Sequence, residues 1–89
     1  MSKKIIIESL AMDLKRVALG LYRKSFNMAE RFKEEALKRE QELEDFPLDD
    51  HIAKLTKYTK RVLSGNSDRT AEDALMLSTL FQNYAQKEF

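Results

Sequence analysis

The segment Ile5–Tyr22, IIIESLAMDLKRVALGLY, carries more apolar residues than a helix with one buried face can use. Advancing about 100° per residue from Ile7, one stripe collects apolar residues at helical spacing. Its members are Leu10, Leu14, Val17, Ala18 and Leu21. A second stripe, Ile5, Met12 and Leu19, recurs every seven residues and lies about 120–160° away from Ile7. The segment therefore predicts a helix with two apolar faces, and the fold depends on what covers each face.

The composition of the whole chain favours helices. Eighty-nine residues make one small domain, and only two Gly and one Pro are available for turns. A β-rich fold needs many turns, so this scarcity indicates few, long elements. A charged fraction of 35% is also typical of helical surfaces. We therefore expect a single all-α domain over residues 1–89.

The clearest interruption of the helical pattern is the stretch EDFPLDD, residues 44–50. Pro47 cannot occupy a helix interior, and it disfavours helical backbone at the preceding residue. Asp49 or Asp50 is then suited to cap a helix over about residues 50–64.

A second interruption follows at Gly65, a residue type that often ends helices. Thr70 with Asp73 three residues later resembles a capping box with Asp in place of Glu. The last helix is therefore expected over about residues 70–86.

Two arrangements are open before Pro47. Asn27 followed by Glu30 forms a capping box, which favours a break near Ser25–Asn27. Helical phase favours the opposite, because the first stripe of the opening helix continues without a phase change. The continuing residues are Met28, Ala29, Phe32, Ala36 and Leu43. Since a turn has no reason to preserve phase, we expect one helix over about residues 4–45.

The length of that helix predicts how the second stripe is covered. A helix of about 40 residues spans about 60 Å, whereas the two later helices reach only about 22–26 Å each. A hairpin of the two would leave the apolar N-terminal half bare, and a homodimer is the simplest way to cover it. We therefore expect three helices that dimerise through Ile5, Met12 and Leu19, in a parallel or an antiparallel orientation. If the helix breaks near Ser25–Asn27, the expectation becomes a four-helix bundle with the second stripe in its core.

The helix over residues 50–64 carries the most concentrated charge. The chain has a net charge of only +1, yet residues 51–64 contain four basic and no acidic residues. Lys54, Lys57, Lys60 and Arg61 share one face of this helix. Such a face can bind phosphates, and Tyr58 at its edge can stack on a base. The same cations can instead pair with the acidic residues 40–50 or face solvent, and nucleic-acid binders usually carry a larger basic excess.

Most catalytic and metal chemistries lack their usual residues in this chain. The absence of Cys excludes thiolate metal sites and a Cys nucleophile, and the single His51 excludes multi-His metal centres within one chain. Helix capping accounts for Asp49 and Asp50 beside it without a metal. The sequence contains no phosphate-binding Gly-rich loop and no nucleophile elbow. We expect neither enzymatic activity nor a cofactor.

The remaining patterns concern location and partners. No apolar run approaches the roughly 20 residues of a membrane span, and the start MSKKIII lacks the long apolar core of a signal peptide. We expect a cytoplasmic protein with no membrane partner. The predicted function is a non-enzymatic helical interaction or scaffold protein, homodimeric, whose protein partner is unknown. The alternative is a small nucleic-acid-binding protein that uses the basic face of residues 50–64.

Overall fold

A computed structural model of the chain describes residues 2–89, which form α-helices and no strand. The helices in the described residues are α1 (Lys3–Tyr22), α2 (Phe26–Glu44), α3 (Asp50–Val62) and α4 (Asp68–Glu88). The prediction of an all-α fold is confirmed. The preferred prediction of one helix over residues 4–45 is wrong, because residues 23–25 separate α1 from α2.

The four helices form a bundle of 35 × 20 × 19 Å. Helix α1 packs extensively against both α2 and α4, and α3 makes smaller contacts with the same two helices. Helices α1 and α3 therefore lie diagonally opposite each other. Helix α1 buries one side against its two neighbours and turns its other side away from the bundle.

The chain reverses after α1 through a Schellman motif. The N–H of Ser25 donates to the carbonyl of Gly20 (2.8 Å), and the N–H of Lys24 donates to the carbonyl of Leu21 (3.1 Å). Lys24 has φ of 58°, in the left-handed region that the motif requires. Glycine or asparagine usually occupies this position, because a Cβ there is strained. The sequence therefore carried no glycine signal for the break.

The capping boxes predicted at Asn27 and at Thr70 do not mark the observed starts of α2 and α4. Helix α2 begins after Ser25 rather than at Asn27, and the Ser25 side chain makes no capping hydrogen bond. Helix α4 begins two residues earlier than expected, because Ser67 is its N-cap and forms the capping box with Thr70. Asp73, the predicted partner of Thr70, lies inside the helix.

The apolar phase that suggested one long helix belongs to two helices that each face the core. The first stripe of α1 is fully buried, and Ala29, Ala36 and Leu43 continue it as buried residues of α2. Met28 and Phe32 are half-buried. Each helix must turn its apolar side inward, so agreement of phase across the turn does not require continuity.

Close packing of backbones supports the reversal between α1 and α2. A Cβ added at Gly20 would lie 3.0–3.1 Å from the backbone and Cβ of Ala29. Two small residues therefore face each other where the helices approach, one turn from the reversal. A larger side chain at either position would force the two helices apart.

Replacing Lys24, whose backbone is in the left-handed region, by glycine tests this explanation of the turn. We expect Lys24→Gly to raise the free energy of unfolding by about 1 kcal/mol, because glycine adopts positive φ without a Cβ penalty. Denaturant unfolding followed by circular dichroism measures the change. Lys24→Ala is the matched control, since it removes the same side chain but keeps the Cβ. Equal stabilisation by both variants would show that the lysine side chain, and not its backbone conformation, carries the cost.

Candidate interaction surface

The second apolar stripe of α1 lies on the outside of the bundle. Ile5 is 49% exposed and Met12 is 54% exposed, while Leu19 is half-buried. Because α1 turns this side away from the bundle, the break near Ser25–Asn27 does not place Ile5 and Met12 in the core. The conditional expectation that a four-helix bundle would bury the stripe is therefore wrong for these two residues.

Met12 stands on a ridge between two grooves. The groove between α1 and α4 has a volume of about 280 Å³, and the groove between α1 and α2 has a volume of about 400 Å³. The α4-side groove is lined by Glu8, Ala11, Met12, Lys15, Ser78 and Gln82. The α2-side groove is lined by Ser9, Met12, Asp13, Arg16, Arg31, Phe32, Glu35 and Arg39. The outward face of α1 thus carries an apolar row with acidic and basic residues on both sides.

A buried hydrogen bond fixes the α4-side groove. The hydroxyl of Ser78 donates to the main-chain carbonyl of Ala11 at 2.7 Å, and both residues are buried. This bond joins α4 to α1 directly below the groove. The relative position of Met12 and the facing side of α4 is therefore set by packing and by a specific polar contact.

Arg16 is held on the α2 side of the ridge. Its guanidinium lies 3.8 Å from the carboxylate of Asp13 and 5.2 Å from the centre of the Phe32 ring. Burial raises the pKa of the Asp13 carboxyl, and the positive charges of Arg16 and Arg39 oppose that shift. The cation–π contact and the ion pair together restrict Arg16 to this side.

The basic face predicted on α3 is only partly available. Lys60 donates to Glu44 Oε1 at 2.8 Å, and this hydrogen bond, together with the charge of Glu40, raises the pKa of Lys60. Lys54, Lys57 and Arg61 are exposed and form no ion pair with residues 2–89. The structure therefore assigns Lys60 to the contact with α2 and leaves three cations on the surface.

A buried carboxylate lies under that contact. Glu40 is 1% exposed, and its Oε2 lies 3.7 Å from Lys60 Nζ without a hydrogen-bond donor in residues 2–89. Burial, reinforced by the negative charge of Glu44, raises the pKa of Glu40 to about 7. Glu40 was not predicted from the sequence as a buried residue. Its signal was helical phase, because it lies four residues after Ala36 and three before Leu43 on the core side of α2.

A buried lysine on the same side of α2 was also not predicted from the sequence. Lys33 is 5% exposed, and its ammonium donates to the carbonyl of Gly65 at 2.6 Å and to the side-chain oxygen of Asn66. It also lies 3.3 Å from Glu30 Oε1. These contacts anchor the loop between α3 and α4 on the middle of α2. Lys33 therefore has a structural role that satisfies its charge within the fold.

The acidic turn around Pro47 is explained by capping. Asp49 Oδ1 accepts a hydrogen bond from the N–H of Ile52 at 2.9 Å, and its Oδ2 accepts one from the hydroxyl of Tyr84 at 3.0 Å. These bonds lower the pKa of Asp49, while burial and the bond to Asp49 raise the pKa of Tyr84 to about 12. Within residues 2–89, no three His, Cys, Asp or Glu residues converge on a possible metal position. His51 lines a shallow groove with Tyr84.

Comparisons with protein-family models, curated proteins and solved structures find no match to the chain. Within residues 2–89, none of the helices combines the length and the apolar character that a membrane span requires.

The buried Glu40 carboxyl predicts how stability depends on pH. Unfolding returns this carboxyl to its ordinary pKa of 4.5, so the unfolded chain holds fewer protons than the folded one between pH 4.5 and about 7. Stability contributed by the protonated carboxyl is therefore complete below pH 4.5 and is lost as the pH rises to about 7. We expect the unfolding free energy of the wild type relative to Glu40→Gln to fall by roughly 1–3 kcal/mol over that range.

Denaturant unfolding at a series of pH values measures this difference. Glu34→Gln, which removes an exposed carboxylate from the same helix, is the matched control. Identical pH profiles for Glu40→Gln and Glu34→Gln would contradict the raised pKa of the buried group.

Proposed function

We propose that the protein is a non-enzymatic helical interaction protein that acts as a homodimer through the outward face of α1. One observation carries this proposal: Ile5 and Met12 are about half exposed on a helix that is otherwise packed on both flanks. Large apolar side chains in a row on a rigid surface indicate a protein-binding site. As a dimer, the bundle would present two identical sets of helices to further partners, which is the arrangement of a small scaffold.

The dimensions of the stripe suit a helix-to-helix contact. Ile5 and Leu19 are fourteen residues apart, so the stripe extends about 21 Å along α1. The seven-residue repeat is the period with which helices pack side by side in coiled coils. Tyr22, which is 47% exposed, adds apolar surface near the end of the helix.

Charges around the stripe favour a second copy of the chain over a strongly charged partner. Glu8 and Lys15 lie in one flanking groove, and Asp13 and Arg16 lie in the other. Both signs are thus present on each side of the stripe. A surface that carries both signs beside an apolar row can complement itself across a twofold axis.

Sedimentation equilibrium of Met12→Glu tests the proposal. We expect the wild type to sediment at about twice 10.4 kDa and Met12→Glu to remain helical but sediment as a monomer, because the contact would bury an unpaired carboxylate. Met76→Glu is the matched control, since Met76 is 46% exposed on α4 but lines neither groove beside Met12. It should remain dimeric. A monomeric wild type at every protein concentration would refute the homodimer.

A second candidate function is nucleic-acid binding through α3. The observation that favours it is the exposure of Lys54, Lys57 and Arg61 without an ion pair in residues 2–89. Three free cations on one short helix can contact successive phosphates. The pairing of Lys60 with Glu44 weakens this candidate relative to the interaction protein, because it removes a quarter of the predicted basic face.

Charge reversal on α3 separates the two functions. If α3 binds nucleic acid, the Lys54→Glu, Lys57→Glu, Arg61→Glu triple variant should lose affinity for a labelled single-stranded RNA, together with about two units of the log–log salt slope. Fluorescence anisotropy at several salt concentrations measures both quantities. The matched control reverses Lys4, Arg23 and Lys38, which are exposed outside α3. Absence of wild-type binding, or equal loss in both triple variants, would reject a site on α3.

A further inference from the structure

We infer that two copies of the chain pair through α1 in an antiparallel orientation, with Met12 of both copies at the twofold axis. This inference rests on the proposed homodimer and specifies its geometry. The seven-residue repeat of the stripe is compatible with either orientation, so the apolar residues alone do not select one. The placement of the charged residues beside the stripe does.

The apolar residues pair evenly around Met12. In an antiparallel pair centred on this residue, Ile5 lies opposite Leu19 of the partner subunit, and Leu19 lies opposite the partner's Ile5. Met12 meets Met12 of the partner subunit. All three members of the stripe therefore find an apolar neighbour, as an isologous contact requires.

The charges on the α4 side of the stripe select the antiparallel orientation. Glu8 and Lys15 both line the groove between α1 and α4, on opposite sides of Met12 along the helix. A twofold axis perpendicular to α1 places the α4 side of one copy against the α4 side of the other. Glu8 then faces Lys15 of the partner subunit, and the symmetry makes this attractive pair twice.

A parallel dimer would not form this attractive pair. A twofold axis along α1 exchanges the two sides, so the α4 side of one copy faces the α2 side of the other. Lys15 would then lie beside Asp13 and Arg16 of the partner subunit, whose opposite charges already pair at 3.8 Å. Because the two pairs between Glu8 and Lys15 are lost, the parallel dimer is disfavoured.

Cysteine cross-linking tests the orientation directly, because the chain has no Cys and each introduced thiol is unique. A disulfide forms only where Cα atoms approach within about 7 Å. We expect Met12→Cys to form a cross-linked dimer by itself on oxidation. Ile5→Cys and Leu19→Cys should not, because equivalent residues would lie about 21 Å apart. An equal mixture of reduced Ile5→Cys and Leu19→Cys should form the cross-linked heterodimer.

The possible outcomes distinguish failure of the orientation from failure of the dimer. Cross-linking of Ile5→Cys with itself would overturn the antiparallel orientation while keeping the dimer. If Met12→Cys does not cross-link and the wild type sediments as a monomer, the homodimer itself is refuted. Met76→Cys, exposed on α4 away from the stripe, is the control for random collision and should remain uncross-linked.

A charge exchange provides an independent test. Glu8→Lys and Lys15→Glu should each weaken dimerisation about tenfold, because each replaces two attractive pairs by repulsive ones. The double variant restores opposite charges and should regain most of the wild-type dissociation constant. In a parallel dimer Glu8 and Lys15 do not face each other, so the double variant would associate no more tightly than the single ones. That result would overturn the inference.

Discussion

The reversal of the chain at Lys24 is the constraint on which the rest of the bundle depends. A single residue in the left-handed conformation ends α1 and directs α2 back along it. Gly20 and Ala29 then bring the two backbones into close contact. Because α2 and α4 occupy the two flanks of α1 and α3 lies diagonally across the bundle, the opposite side of α1 has no neighbour in the described chain. The candidate interaction surface follows from that turn.

Buried charge on α2 determines how the second half of the chain attaches. Lys33 binds the loop between α3 and α4, and Glu40 lies beneath the contact between Lys60 and Glu44. Helix α1 buries mainly aliphatic side chains, whereas α2 buries both signs of charge within its core-facing row. These polar contacts are directional, so they fix the position of α3 where apolar packing is limited. They also use Lys60, which reduces the basic face of α3.

The sequence predicted the core-facing row of α1 and α2 and missed the turn between them for a definite reason. The first stripe and its continuation at Ala29, Ala36 and Leu43 are buried as predicted, because apolar phase reports which side of a helix faces inward. Phase does not report continuity, since two helices in one bundle both satisfy it. The break would have been evident with Gly at position 24, but Lys stands there. Lys33 and Glu40 were missed because charged residues are normally expected on the surface. Their helical positions on the core-facing side of α2 indicated burial instead.

By itself, the sequence determined the all-α class, the interruption at Pro47 and the two apolar stripes of α1, because these follow from local backbone preferences and periodicity. Only the tertiary structure decided which stripe is buried. It also decided that Lys60 is paired and that Glu8 and Lys15 share one side of the exposed stripe. These properties depend on which helices become neighbours, and the neighbours are set by a turn whose left-handed position is occupied by Lys24 and not by glycine.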